Sequence, residues 1–127
     1  MQKNLLLLLL LLINLTTAAA QNQRHKAVVD RFVSDFNDSN FETIYKSFSA
    51  RMQNSKPKKY FFDIFSRVRT QDGRILSLDL LSYRENSLNR SQAKYNAHCE
   101  TGNISIKITI DDQGQIIGLY IKKAIYM

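Results

Sequence analysis

From Arg24 to Phe36 the apolar residues Val28, Val29, Phe32, Val33 and Phe36 recur at three- and four-residue steps. That spacing gathers them on one helical face, with Lys26, Asp30, Ser34 and Asp35 opposite. The cluster Asn37-Asp38-Ser39-Asn40 ends this helix and starts another, and Ser39 with Glu42 has the spacing of a capping box. Phe41, Ile44, Tyr45 and Phe48 then share one face of a short second helix. A third helix opens at Pro57, which suits the first helical position because no N–H is needed there. Phe61, Ile64, Phe65 and Val68 form its stripe, and Gly73 is its stop.

After Arg74 the period changes to two. Leu76, Leu78 and Leu80 alternate with Ser77 and Asp79, and the leucines are the expected core face. Ala93, Tyr95, Ala97 and Cys99 alternate with Lys94, Asn96, His98 and Glu100. Ile104, Ile106, Ile108 and Ile110 make the cleanest strand, and Ile117, Leu119 and Ile121 the last one. Turn residues at Glu85–Asn89, 101–103 and 111–114 separate them. Connections this short make neighbouring strands antiparallel. Helices followed by an antiparallel sheet predict an α+β domain, the helices packed on one face of four strands.

The first twenty residues have another organisation. Lys3 precedes an unbroken apolar run from Leu5 to Ile13, and small residues follow as far as Ala20. Charge, apolar stretch and an Ala-x-Ala end are the order of an export signal, so a cut before Gln21 is expected. The run is short of the ~20 residues that a membrane span needs. Secretion or periplasmic export follows as the expectation, without a stable membrane anchor after cleavage. Residues 21–127 then form one domain, since 107 residues suffice for one core and not for two.

The full chain carries a formal charge of +7, or +6 without Lys3. A basic protein attracts anionic partners, but here both signs are interspersed, which reads first as a solvated surface. Lys56, Lys58 and Lys59 precede the third helix, with Arg67, Arg69 and Arg74 near its end. Arg84, Arg90 and Lys94 lie around the first hairpin, with Lys122 and Lys123 at the last strand. No single stripe emerges, and no aromatic platform accompanies them, so nucleic acid is not an expected partner. Cys99 is the only cysteine, which excludes an intramolecular disulfide. With His25 and His98 it matches no zinc spacing.

Two stretches carry a family resemblance. The run from Phe36-Asn37 through Phe41, Ile44-Tyr45 and Phe48-Ser49 is similar to a segment of small bacterial domains of unknown function in the NTF2-like (cystatin-like) superfamily. Residues 106–121, with the Asp111-Asp112-Gln113-Gly114 turn, resemble that group's closing hairpin. The resemblance covers residues 27–123 and implies a curved sheet wrapped on helices, in some members around a pocket. Such domains often precede a serine-hydrolase or β-lactamase-like domain, which here would be absent or a separate partner. It implies no activity. Since it points to a bacterium, the sequons at Asn37, Asn89 and Asn103 read as turn and cap residues.

Enzymes of that superfamily place a carboxylate or histidine with a tyrosine in an apolar pocket. Asp63, Asp79, Tyr45, Tyr83, Tyr95 and His98 are the available residues. Asp63 lies one turn after Lys59 on the polar side of its helix, and Asp79 faces away from the leucines, so neither is expected to be buried. Tyr45 and Tyr95 lie on apolar faces as packing. His98 and Cys99 are neighbours on a strand and point to opposite faces, giving a surface imidazole and a buried thiol. His25 reads as a first-turn residue at the edge. No residue is assigned to catalysis, a cofactor or a metal. The leading expectation is a non-catalytic module that binds a protein partner or small ligand, or forms a homodimer through its sheet. A small-molecule enzyme with a pocket tyrosine and carboxylate is the alternative. A cystatin-like protease inhibitor is disfavoured, because a Gln-x-Val-x-Gly loop and tryptophan are both lacking.

Overall fold

The structure, a computed structural model, describes residues 22–123. The export segment expected over residues 1–20 lies outside them. Helix α1 occupies residues 22–37 and is followed by α2 (Phe41–Lys46), α3 (Ala50–Gln53) and α4 (Lys58–Asp72). Strands β1 (Ile75–Glu85), β2 (Ser91–Cys99), β3 (Gly102–Ile110) and β4 (Ile116–Lys123) come next. Each pairs antiparallel with the one before it, and the spatial order β1-β2-β3-β4 leaves the sheet open rather than closed into a barrel. The fold is the α+β arrangement that the change of period implies.

The helical stripes meet the inner face of the sheet in one core. Val29, Phe32, Phe36, Ile44, Phe61 and Phe65 are buried together with Ala97, Ile104, Ile106, Ile108 and Ile110, and Val68 and Leu119 pack at its margin. Aromatic rings interlock through it, with Phe48 and Phe61 centred 5.1 Å apart and Phe41 and Phe65 5.6 Å apart. Cys99 is a buried free thiol on the same inner face.

Several local expectations are corrected. Ser39 is not a capping residue: it takes φ +58°, Asn40 precedes α2, and Glu42 pairs with Lys58 instead. Helix α2 ends at Lys46, so Phe48 lies beyond it and forms a single parallel bridge with Ile116. The intervening α3 has no apolar stripe long enough to signal it, and it begins where Ser49 Oγ accepts from Met52 N. Pro57 stands just before α4 rather than inside it. Gly73 ends α4 at φ +82°, ψ −158°, a conformation open essentially to glycine alone.

The largest correction concerns β1. Its leucines do not form a core face: Leu76 and Leu80 are exposed and Leu78 is half-buried. The register breaks between Ile75 and Ser77 and again between Leu80 and Ser82. Each break inserts an unpaired residue, which interrupts strict alternation. In β4 a similar shift lets Ile116, not Ile117, pair with Ile110 and take the core position.

Candidate functional site

The space between helices and sheet, where an apolar pocket would lie, is filled with side chains. Phe36, Phe48, Phe65, Ile108 and Ile110 are almost wholly buried there. What remains is a gap of about 150 Å³ between α4 and β4, lined by apolar residues including Phe61, Ile64, Leu119 and Ile121. Tyr45, at the rim of the core, sends its hydroxyl to the Gln53 carbonyl at 3.5 Å, and Lys58 Nζ lies 5.3 Å from its ring centre. Tyr95 is half-buried, and burial followed by the charge of Asp30 raises its phenol above the ordinary range. No carboxylate of the expected set enters this space: Asp63 is paired with Lys59 at 3.0 Å on the exposed side of α4.

Polar chemistry is gathered instead at the end of the sheet beneath α1. His25, expected at the edge, is only 2% exposed. Its Nδ1 lies 2.6 Å from Ser91 Oγ, and its ring meets Tyr83 edge-on at 5.3 Å. The Tyr83 hydroxyl donates to Glu85 Oε1 at 2.7 Å. Burial first, and then the bond to Glu85, push the Tyr83 phenol up to about 12. Burial pushes the His25 imidazole down to about 4, against a smaller opposing effect of Glu85. Among the described residues His25 Nε2 has no hydrogen-bond partner. The grouping places a serine beside a histidine; both side chains are largely buried, and Ser91 is among the residues lining a cleft at the hairpin end. An imidazole that is neutral down to about 4 is a weak base at neutral pH. The arrangement anchors α1 to the sheet. Sequence reading missed it because the partners stand on β1 and β2, far from α1 along the chain.

On the outer face of the sheet His98 is held between Asp79 and Asn103. Its Nε2 lies 2.6 Å from Asp79 Oδ2 and its Nδ1 3.2 Å from Asn103 Oδ1. The bond to Asp79 raises the imidazole above its usual value. Both side chains are solvent-exposed. Cys99, one residue on, faces inward, and burial raises its thiol to about 11. The two do not act together, as their strand geometry predicts.

The register also collects charges that the sequence scatters. Lys94 stands directly opposite Lys107, Lys107 opposite Tyr120, and Ser105 opposite Lys122. These residues surround a depression of about 160 Å³. Arg84 and Arg90 line a separate cleft of about 370 Å³ at the hairpin end, together with Glu85 and Asn86. Exposed apolar surface is concentrated on β1 and its hairpin: Leu76, Leu80, Leu81 and Leu88 are 68, 58, 59 and 63% exposed.

The residues behind the resemblance turn out to shape the fold. Asn37 clamps the start of β1: its Nδ2 donates to the Ile75 carbonyl at 2.9 Å, and its Oδ1 accepts from Ile75 N at 2.7 Å. Asp111 Oδ1 accepts from Gln113 N and Gln115 N, and Gly114 takes φ +79° in the same turn. Among the described residues no group of three His, Cys, Asp or Glu could hold a metal ion, and no helix is long and apolar enough to cross a membrane. The family profile described as a protein of unknown function (DUF3887) matches residues 29–119. No curated protein matches the chain.

Proposed function

We propose that this chain, which belongs to the DUF3887 family of proteins of unknown function, is a non-catalytic interaction module that pairs with a second copy of itself along β1. In this reading it is an exported domain of NTF2-like type, as its N-terminal pattern and its order of helices and strands suggest. The observation that carries the proposal is the β1 edge, unpaired among the described residues, with four exposed leucines on the strand and its hairpin, beside a filled core. An unpaired edge offers backbone donors and acceptors, and apolar side chains on it favour strand pairing. The gap of about 150 Å³ under α4 is below the ~300–1,000 Å³ usual for small-molecule sites, so the space between helices and sheet does not favour a ligand pocket. A second copy also suits the charges. Antiparallel pairing centred on the Leu81–Ser82 step sets Asp79 of each copy opposite Arg84 of the other.

Sedimentation velocity tests the proposal. The wild-type protein should dimerise at micromolar concentration, whereas Leu80→Lys should be monomeric with unchanged circular dichroism, because Leu80 is exposed. A wild-type protein that is monomeric up to ~100 μM would refute it.

A further inference from the structure

We infer that the outer face of the sheet is a binding surface for an acidic polysaccharide, with Lys94, Lys107, Lys122 and Tyr120 as its contacts. The surface is separate from the β1 edge and stands whether or not the chain dimerises. Its first support is an electrostatic cost. Lys94 and Lys107 are direct cross-strand partners, and like charges so placed repel. Lys122 sits one row along, opposite Ser105. Among the described residues none of the three lysines makes an ion pair. Asp79, the carboxylate nearest them in the register of this face, is held by His98. A bound anion would offset that repulsion.

The second support is an aromatic ring on the edge strand β4, at the end of the lysine row. Tyr120 is exposed beside Lys107, whose Nζ lies 4.8 Å from its ring centre. The depression bounded by these side chains, about 160 Å³, has room for one ring-sized group. A sugar ring can rest its C–H face on the phenol while its acidic substituents meet the ammonium groups. The surrounding positions Asn96, Ser105 and Thr109 are polar and suit hydroxyls. Single-stranded nucleic acid calls for successive stacking rings, and among the described residues this face presents one. A membrane surface calls for projecting apolar anchors, and the rows around Tyr120 are polar.

Titration of the purified protein with oligogalacturonate, followed by calorimetry and by the intrinsic tyrosine fluorescence compared between wild type and Tyr120→Ala, tests the inference. Binding should weaken with added salt as screening grows. Lys107→Gln and Tyr120→Ala should each lose about tenfold in affinity, and Lys59→Gln, on the far side of the fold, should lose none. Lys107→Gln should leave the unfolding midpoint unchanged or raise it, because it removes a repulsion. This separates a lost contact from a damaged fold. The inference fails if the methyl-esterified oligosaccharide binds equally well, or if Lys59→Gln loses as much as Lys107→Gln. It also fails if vesicles of anionic phospholipid or an oligothymidylate bind more tightly through Lys107 than the acidic sugar does.

Discussion

His25 shows how one buried side chain couples the helical layer to the sheet. Its Nδ1 is bound to Ser91 Oγ at 2.6 Å while Nε2 has no partner among the described residues, so charging the ring would bury a cation beside Tyr83 and Ser91. Burial therefore lowers its pKa from 6.5 to about 4. In the unfolded chain the same imidazole binds its proton near 6.5. The unfolded state then holds more protons between these values, so stability is fully present above pH 6.5 and declines as pH falls towards 4. A displacement of this size corresponds to about 3 kcal/mol over the window. Denaturant unfolding at pH 7 and at pH 4.5 should show that loss in the wild-type protein and a smaller one in His25→Gln. Equal losses in the two proteins would mean that the burial of His25 does not set the acid sensitivity.

Elements are joined here by a few polar groups at their ends. α1 closes on Asn37, whose amide satisfies both backbone groups of Ile75, and Arg69 of α4 donates to the Asn37 carbonyl through Nε and Nη2 at 3.2 Å. One side chain thus fixes where β1 starts relative to two helices. Asn37→Ala should cost about 1–3 kcal/mol, because it leaves donors and acceptors unpaired at a partly buried junction. Asn37→Asp should recover only the half supplied by Oδ1. The turn after α4 is similarly demanding: a Cβ at Gly73 would lie 2.8 Å from Glu100 Cβ. Unfolding midpoints of Asn37→Ala and Asn37→Asp check the clamp, and midpoints equal to wild type would show that solvent replaces it.

For the whole molecule the decisive quantity is how completely helices and sheet close on each other. Phe65 touches the rings of Phe32, Phe41 and Phe48 and is 2% exposed, so its position is part of a filled core. Phe65→Ala should cost about 3–5 kcal/mol. A domain of this size has only ~5–15 kcal/mol of stability in total, so much of it would go. Chemical denaturation reads the loss directly. A midpoint close to wild type would mean that Phe65 borders open space, which would return a ligand pocket to consideration. The two surfaces proposed for recognition, the β1 edge and the basic outer face, are both properties of the assembled sheet.

Local pattern was sufficient for much of this architecture. The stripes in α1 and α4, the isoleucine alternation of β3 and the turn residues at Asp111–Gly114 each report on near neighbours in the chain, where helix and strand periods act directly. The inward Cys99 and outward His98 followed from the same period. Tertiary structure decided the rest, because each remaining feature depends on what stands opposite. Two register breaks left Leu76 and Leu80 of the expected core face exposed, while Leu78 still packs against the core. Ser91 and Tyr83 made His25 a buried residue, although its own helix carries no sign of them. Lys94, Lys107 and Lys122 look scattered in sequence and become neighbours only through the pairing of β2 with β3 and of β3 with β4. The periodicity of a strand tells which side of it a residue occupies. Which residues face it across the sheet, and therefore which charges meet, is set by the strands beside it.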